Sequence, residues 1–194
     1  ANRAAELVDL KAGGTEARYR LWGTYNFNER PADVLGRMLV SCDGRIIPTP
    51  DGGITLDIGT WAEPTVVIDT EIIGDFSIKR GRDIRTTANT IAATYMSPNH
   101  DYQTIDADRW IDDDDVSLRG EIVRDTSFIM TPSHAQCRRL MKLEAYRAKP
   151  NWLGSVQCNL AGLAAFGERF IRLTYAPFEI DEVMEVTDFR FNIS

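Results

Sequence analysis

One imidazole and three carboxylates fall within fourteen residues, in SPNHDYQTIDADRW (residues 97–110): His100, Asp101, Asp106 and Asp108, with Tyr102 and Trp110 among them. Such side chains can hold a metal ion or move protons. A transition-metal site, however, combines several His or Cys on fixed scaffolds, and here one His sits in a Ser-Pro-Asn turn. Asp106 and Asp108 stand at i, i+2. Paired glycosidase acids face each other across roughly 5–9 Å, a separation this spacing permits but does not specify. The stretch therefore reads as a polar connector between strands, with a metal or carbohydrate contact and a catalytic pair as its alternatives. No catalytic residue, cofactor or metal site is expected.

The remaining chemistry is sparse. The second His, His134, lies 34 residues from His100 at the start of an expected helix. A Ser or Cys nucleophile would need one of them nearby in the fold, and the sequence gives no sign of that. The chain has no P-loop, no GxGxxG and no GxSxG. Its three cysteines, Cys42, Cys137 and Cys158, lack CxxC spacing and are odd in number. They read as small buried apolar residues in a reducing compartment, not as a disulfide framework or zinc site.

The elements that must position these groups follow from periodicity and turn chemistry. With 194 residues, 43% hydrophobic and 26% charged, the chain has the length and mixture of a globular protein with a core. Residues 1–14 read as a linker or the end of a preceding domain. The start, ANRAAELVDLKAGG, lacks Met and is too polar for a secretory signal, as expected of a piece of a longer polypeptide. Residues 18–27 (RYRLWGTYNF) are β-prone and aromatic. Pro31 suits a helix first turn, and Val34, Leu35, Met38, Leu39 and Cys42 follow at helical spacing. Two short strands, 45–49 and 54–58, flank a Pro-Asp-Gly-Gly turn. Further strands are expected at 64–68, 76–79, 89–96, 152–158, 169–175 and 183–193. A second main helix spans 132–148, with Thr131 as N-cap and Pro132 first. Residues 112–115, four consecutive Asp, read as a solvated loop; they lack the spacing, Gly and Glu of a calcium loop. The fold class is α+β, β-rich, mostly antiparallel, with two main helices and two subdomains, 15–80 and 81–194.

The net charge of −7 opposes nucleic-acid binding through a basic surface. A local basic run, Lys79, Arg80, Arg82 and Arg85, reads as a turn or partner contact. No apolar run approaches the roughly 18 residues of a membrane span.

Four segments carry a family likeness, in order: GGTEARYRLWGTYNFNERPADVLGRMLVSCDGRII (13–47), TANTIAATYMSPNHDYQ (87–103), CNLAGLAAFGERFIRLT (158–174) and VMEVTDFRFNIS (183–194). Together they resemble the hub region of the tail-tip attachment proteins of lambda-like long-tailed phages and prophages, a putative phage tail protein family, and the related hubs of gene transfer agents. The resemblance implies a β-rich ring subunit closing the end of a tail tube. Its location would be the virion tail tip, after synthesis in the bacterial host cytoplasm. Its partners would be copies of itself, as a trimer of the full-length protein, and other tail proteins. It brings no catalytic residues.

Two other classes stay open. A carbohydrate- or receptor-binding module of the tail would use Trp22, Trp61, Trp110 or Trp152 as platforms. A tail-associated cell-wall hydrolase would use Asp106, Asp108 or Glu121. For the hub, residues 79–85 and 112–115 are expected as oppositely charged rim contacts between subunits.

Overall fold

The computed structural model describes residues 3–49, 51–59, 61–81, 83 and 85–191. In chain order its strands and α-helices are β1 (Leu7–Asp9), β2 (Thr15–Ala17), α1 (Pro31–Ser41), β3 (Arg45–Pro48), β4 (Ile54–Asp57), β5 (Val67–Ile68), β6 (Ile73–Arg80), β7 (Thr90–Ser97), β8 (Gln103–Asp106), β9 (Trp110–Ile111), α2 (Asp113–Arg119), β10 (Val123–Phe128), α3 (His134–Ala148), β11 (Trp152–Cys158), β12 (Phe170–Tyr175) and β13 (Ile180–Glu185). The fold is α+β, rich in mostly antiparallel strand, with α1 and α3 as the main helices. The parallel pairings are β10 with β7 and β5 with β12.

The chain forms two compact units that are discontinuous in sequence. One holds residues 1–46, 56–59 and 81–151; the other holds 47–55, 60–80 and 152–194. This differs from the sequential subdomains expected. The reason is pairing at long range: β11 runs antiparallel to β6, with Trp152 opposite Arg80 and Gln157 opposite Asp75.

In the first unit β7 is central, flanked by β10 and β8 and also pairing β9. Alternation sends Ile91, Ala93 and Tyr95 to one face, against Cys137, Leu140, Met141 and Ala145 of α3. That helical spacing was the sequence signal for α3. Ile91, Cys137 and Met141 are fully buried, each contributing roughly 2 kcal/mol of apolar burial. In the second unit β12 lies between β13 and β5. Its core is Ile68, Ala165, Leu173 and Ile180, with Trp152 and Val156 packed against it. Gly154 is required within β11, because a Cβ there would overlap the Ser77 carbonyl oxygen.

Several expectations are corrected. Residues 18–27 carry no regular structure, while β1, inside the expected linker of residues 1–14, pairs with β2. The N-cap of α3 is Ser133, whose hydroxyl accepts from the Gln136 amide, and not Thr131. Thr131 is held by the sheet instead: its carbonyl accepts from the Met96 amide at 3.1 Å. Residues 112–115 open α2, with Asp112 as N-cap. The last strand is Ile180–Glu185, and residues 186–191 carry none. β8, β9 and β10 were not anticipated. Pro50, Arg82, Asn192 and Ile193, which fall in expected features, lie outside the described residues.

Candidate assembly surface

The stretch 97–110 is a hairpin with a structured turn. Pro98–His100 form a 3₁₀ turn, and the chain returns as β8 antiparallel to β7. The Ser97 hydroxyl lies 2.9 Å from His100 Nδ1, so this imidazole is engaged locally. Asp101 and Tyr102 both take left-handed backbone conformations, φ +52° and +57°. The Tyr102 amide closes the turn on the Ser97 carbonyl at 2.9 Å. From there alternation decides the rest: Ile105 and Ala107 pack on the core, while Thr104, Asp106 and Asp108 face water.

Asp108 Oδ2 lies 3.4 Å from His134 Nε2, both exposed, and Glu121 lies 3.4 Å from Arg109. Asp106 stands opposite Thr94, whose hydroxyl is 2.8 Å from that of Ser127. Among the described residues no three His, Cys, Asp or Glu gather to hold a metal ion. No helix among them is long and apolar enough to cross a membrane. The three cysteines are free thiols. Cys137 is fully buried, and burial pushes its thiol up to about 12, which removes it from nucleophilic chemistry. Cys42 is half-buried at the end of α1, and Cys158 is exposed on β11, which departs from the expected burial.

The strongest surface feature is the segment that failed to become a strand. Its approach is firmly held. Glu16 accepts from the Ser133 hydroxyl at 2.7 Å and from Arg139 at 2.9 Å. Arg139 also donates to the Arg18 carbonyl at 2.7 Å. The Gln136 side chain, fully buried, then takes the place of a neighbouring strand. It accepts from the Arg20 amide at 2.8 Å, and donates to the Arg20 carbonyl at 3.0 Å and the Ser41 carbonyl at 2.6 Å. The Trp22 amide donates to the Met130 carbonyl at 3.1 Å.

Beyond this anchor the side chains face out. Leu21 is 51% exposed, Trp22 48%, Tyr25 51% and Phe27 100%. Trp22 stacks on Tyr102 with ring centroids 4.5 Å apart and planes at 24°, and Tyr102 is itself 44% exposed. Tyr25 and Phe27 meet edge to face at 6.0 Å.

No family model and no curated protein matches the chain.

The expected platforms differ among themselves. Trp110 is half-buried on the first core and Trp152 on the second, where the Arg80 guanidinium lies 5.8 Å over its ring. Trp61 is exposed and leans on Phe170 at 4.9 Å. Of the four acids in the expected charge rim, two are engaged within their own unit. Asp112 and Asp115 both accept from Lys149, at 2.6 and 2.8 Å, and Asp115 also accepts from Arg119 at 2.5 Å. Only Asp113 and Asp114 of the run are exposed. Sequence reasoning missed Tyr102, because its pairing with Trp22 depends on a long-range contact. It also missed the exposure of residues 21–27, whose β-prone composition argued for a sheet.

Proposed function

We propose that the chain is a structural component of a phage or prophage tail tip or baseplate hub, assembling with copies of itself and other tail proteins at the end of the tail tube. The observation that carries this reading is the cluster of exposed apolar side chains at residues 21–27. Several exposed aromatic side chains on a firmly anchored segment fit a site that another protein covers. The segment also lies inside the first stretch of family likeness. Electron microscopy of particles from the source organism, labelled with antibody against this chain, tests the reading. Label is expected at the tail end distal to the head; particles that carry no label overturn it.

A second reading rests on the Trp22–Tyr102 stack: a carbohydrate- or receptor-contact platform of the same tail. A glycan array on the purified chain addresses it. The hydrolase reading would use Asp106, Asp108 and Glu121, of which Asp108 lies beside His134 and Glu121 beside Arg109. Release of sugar from peptidoglycan by the purified chain would support it.

A further inference from the structure

We infer that residues 21–27 are the strand by which one copy of this chain joins the next, seated on the outer edge of β8 in its neighbour. The inference rests on the assembly reading above and names the contact.

The first argument is the conflict between propensity and partnership. The sequence LWGTYNF has the composition of a strand, yet among the described residues it pairs with no strand. Among the described residues, only two amides of this segment have acceptors. Trp22 donates to Met130, and Asn26 donates to the Glu29 carboxylate at 2.7 Å. The amides of Leu21, Gly23, Thr24, Tyr25 and Phe27 remain available. Strand alternation would place Leu21, Tyr25 and Phe27 on one face, gathering the apolar exposure into a single contact.

The second argument is preorganisation. Gln136 and Met130 fix the segment before Gly23, which lies close against Met130. After it, Glu29 pairs with Arg37 of α1, and Pro31 starts that helix. Both ends are held, so little ordering entropy is lost when a partner pairs with the middle.

The third argument selects the occupant. A row of backbone donors is satisfied by another backbone, and Leu21 and Phe27 offer no polar handle to a sugar. The complement is present in the same chain. β8 is the last strand of its sheet, paired to β7 on one side only. It begins directly after Tyr102, the residue on which Trp22 stacks. Segment and edge are different stretches of chain, so a reciprocal pair of these contacts closes a dimer and a one-way contact builds a ring or a filament. One short strand falls below the roughly 1,200 Å² of a stable interface, so association depends on concentration.

Amide hydrogen exchange by mass spectrometry on the whole chain tests this over a concentration series, with a parallel dilute arm containing N-acetylglucosamine oligomers. Peptides covering 21–27 and 103–106 are expected to slow together by about tenfold or more as the chain associates. Phe27→Asp is expected to abolish both effects while protection of α3 stays unchanged. Association that leaves both peptides unprotected overturns the strand and leaves the hub reading standing. Absence of association at every concentration also overturns it, as does protection of 21–27 by the oligosaccharide in the dilute chain.

Discussion

The segment at residues 21–27 and the acid run at 112–115 are inverses of each other. The first is apolar and lies open; the second is four carboxylates, of which Asp112 and Asp115 are satisfied within their own unit and Asp113 and Asp114 face water. What separates them is the supply of partners. The acid run meets a helix start, where unbonded amides and the helix dipole favour negative charge. Asp112 accepts from the Asp115 amide at 3.2 Å. Lys149, just past the end of α3, bridges Asp112 and Asp115, and Arg119 reaches back to Asp115 while also donating to the Thr87 carbonyl at 2.9 Å. The aromatic segment is anchored at its start by the Gln136 side chain on Arg20 and the Met130 carbonyl on Trp22, and its other apolar side chains find few partners. Hydropathy alone ranks the two segments in the wrong order of exposure.

The largest effect is expected at the anchor. Gln136→Leu removes the acceptor of the Arg20 amide and leaves the Arg20 and Ser41 carbonyls without their donor, in a buried site. A loss of about 3 kcal/mol is expected in urea denaturation, with faster exchange of the Arg20 amide. An unchanged midpoint would mean that the segment is not held by Gln136. Next comes the acid run. Asp112→Ala removes the N-cap of α2 and is expected to lose about 1 kcal/mol. Lys149→Met is expected to lose up to about 1 kcal/mol, and less in high salt because the pairs are only part-buried.

The same cluster sets an acid dependence. Hydrogen bonds from Lys149 and the Asp115 amide hold the Asp112 carboxyl below its ordinary range; those from Arg119 and then Lys149 do so for Asp115. Burial disfavours the charge on Lys149, but its bonds to Asp112 and Asp115 outweigh this and raise it. Carboxyls depressed in the folded state bind fewer protons there than in the unfolded chain. Their stabilisation is therefore complete above about pH 4 and is lost as pH falls through the folded values. The double variant Asp112→Asn, Asp115→Asn is expected to flatten this acid slope. The slope does not vanish, because Asp181 is held low by Arg172 in the other unit. An identical slope in wild type and variant would mean that the cluster does not form in solution.

Much of the framework was legible where periodicity and burial agree. The α3 stripe of Cys137, Leu140, Met141 and Ala145, the Pro31 helix start and the strands at 90–97 and 152–158 all announce themselves locally. Legibility fails where a long-range partner decides. Residues 18–27 have strand composition, but Gln136, over a hundred residues away, takes the hydrogen bonds that would begin a ladder. Thr131 has capping chemistry, but its carbonyl is taken by Met96. The candidate site was half legible: the stretch at 97–110 was read as a polar connector, whereas Gln103–Asp106 form β8 and Trp110 begins β9, and Tyr102 matters for the Trp22 it meets, which no local pattern encodes.

The smallest expected effect on folding is the sharpest test of the comparison. Phe27 is fully exposed, so Phe27→Ser in dilute solution should change stability by no more than about 0.5 kcal/mol. Trp22→Ser, which breaks the stack on Tyr102, should lose about 1 kcal/mol by the same measurement. Association measured by analytical ultracentrifugation should reverse this order of importance. Phe27→Ser should weaken it strongly, because a fully exposed ring has its whole surface still to bury. If Phe27→Ser instead lowers the stability of the dilute chain by 2 kcal/mol or more, the ring is already part of a core. The contrast between an open apolar segment and a partly satisfied acidic one would then collapse.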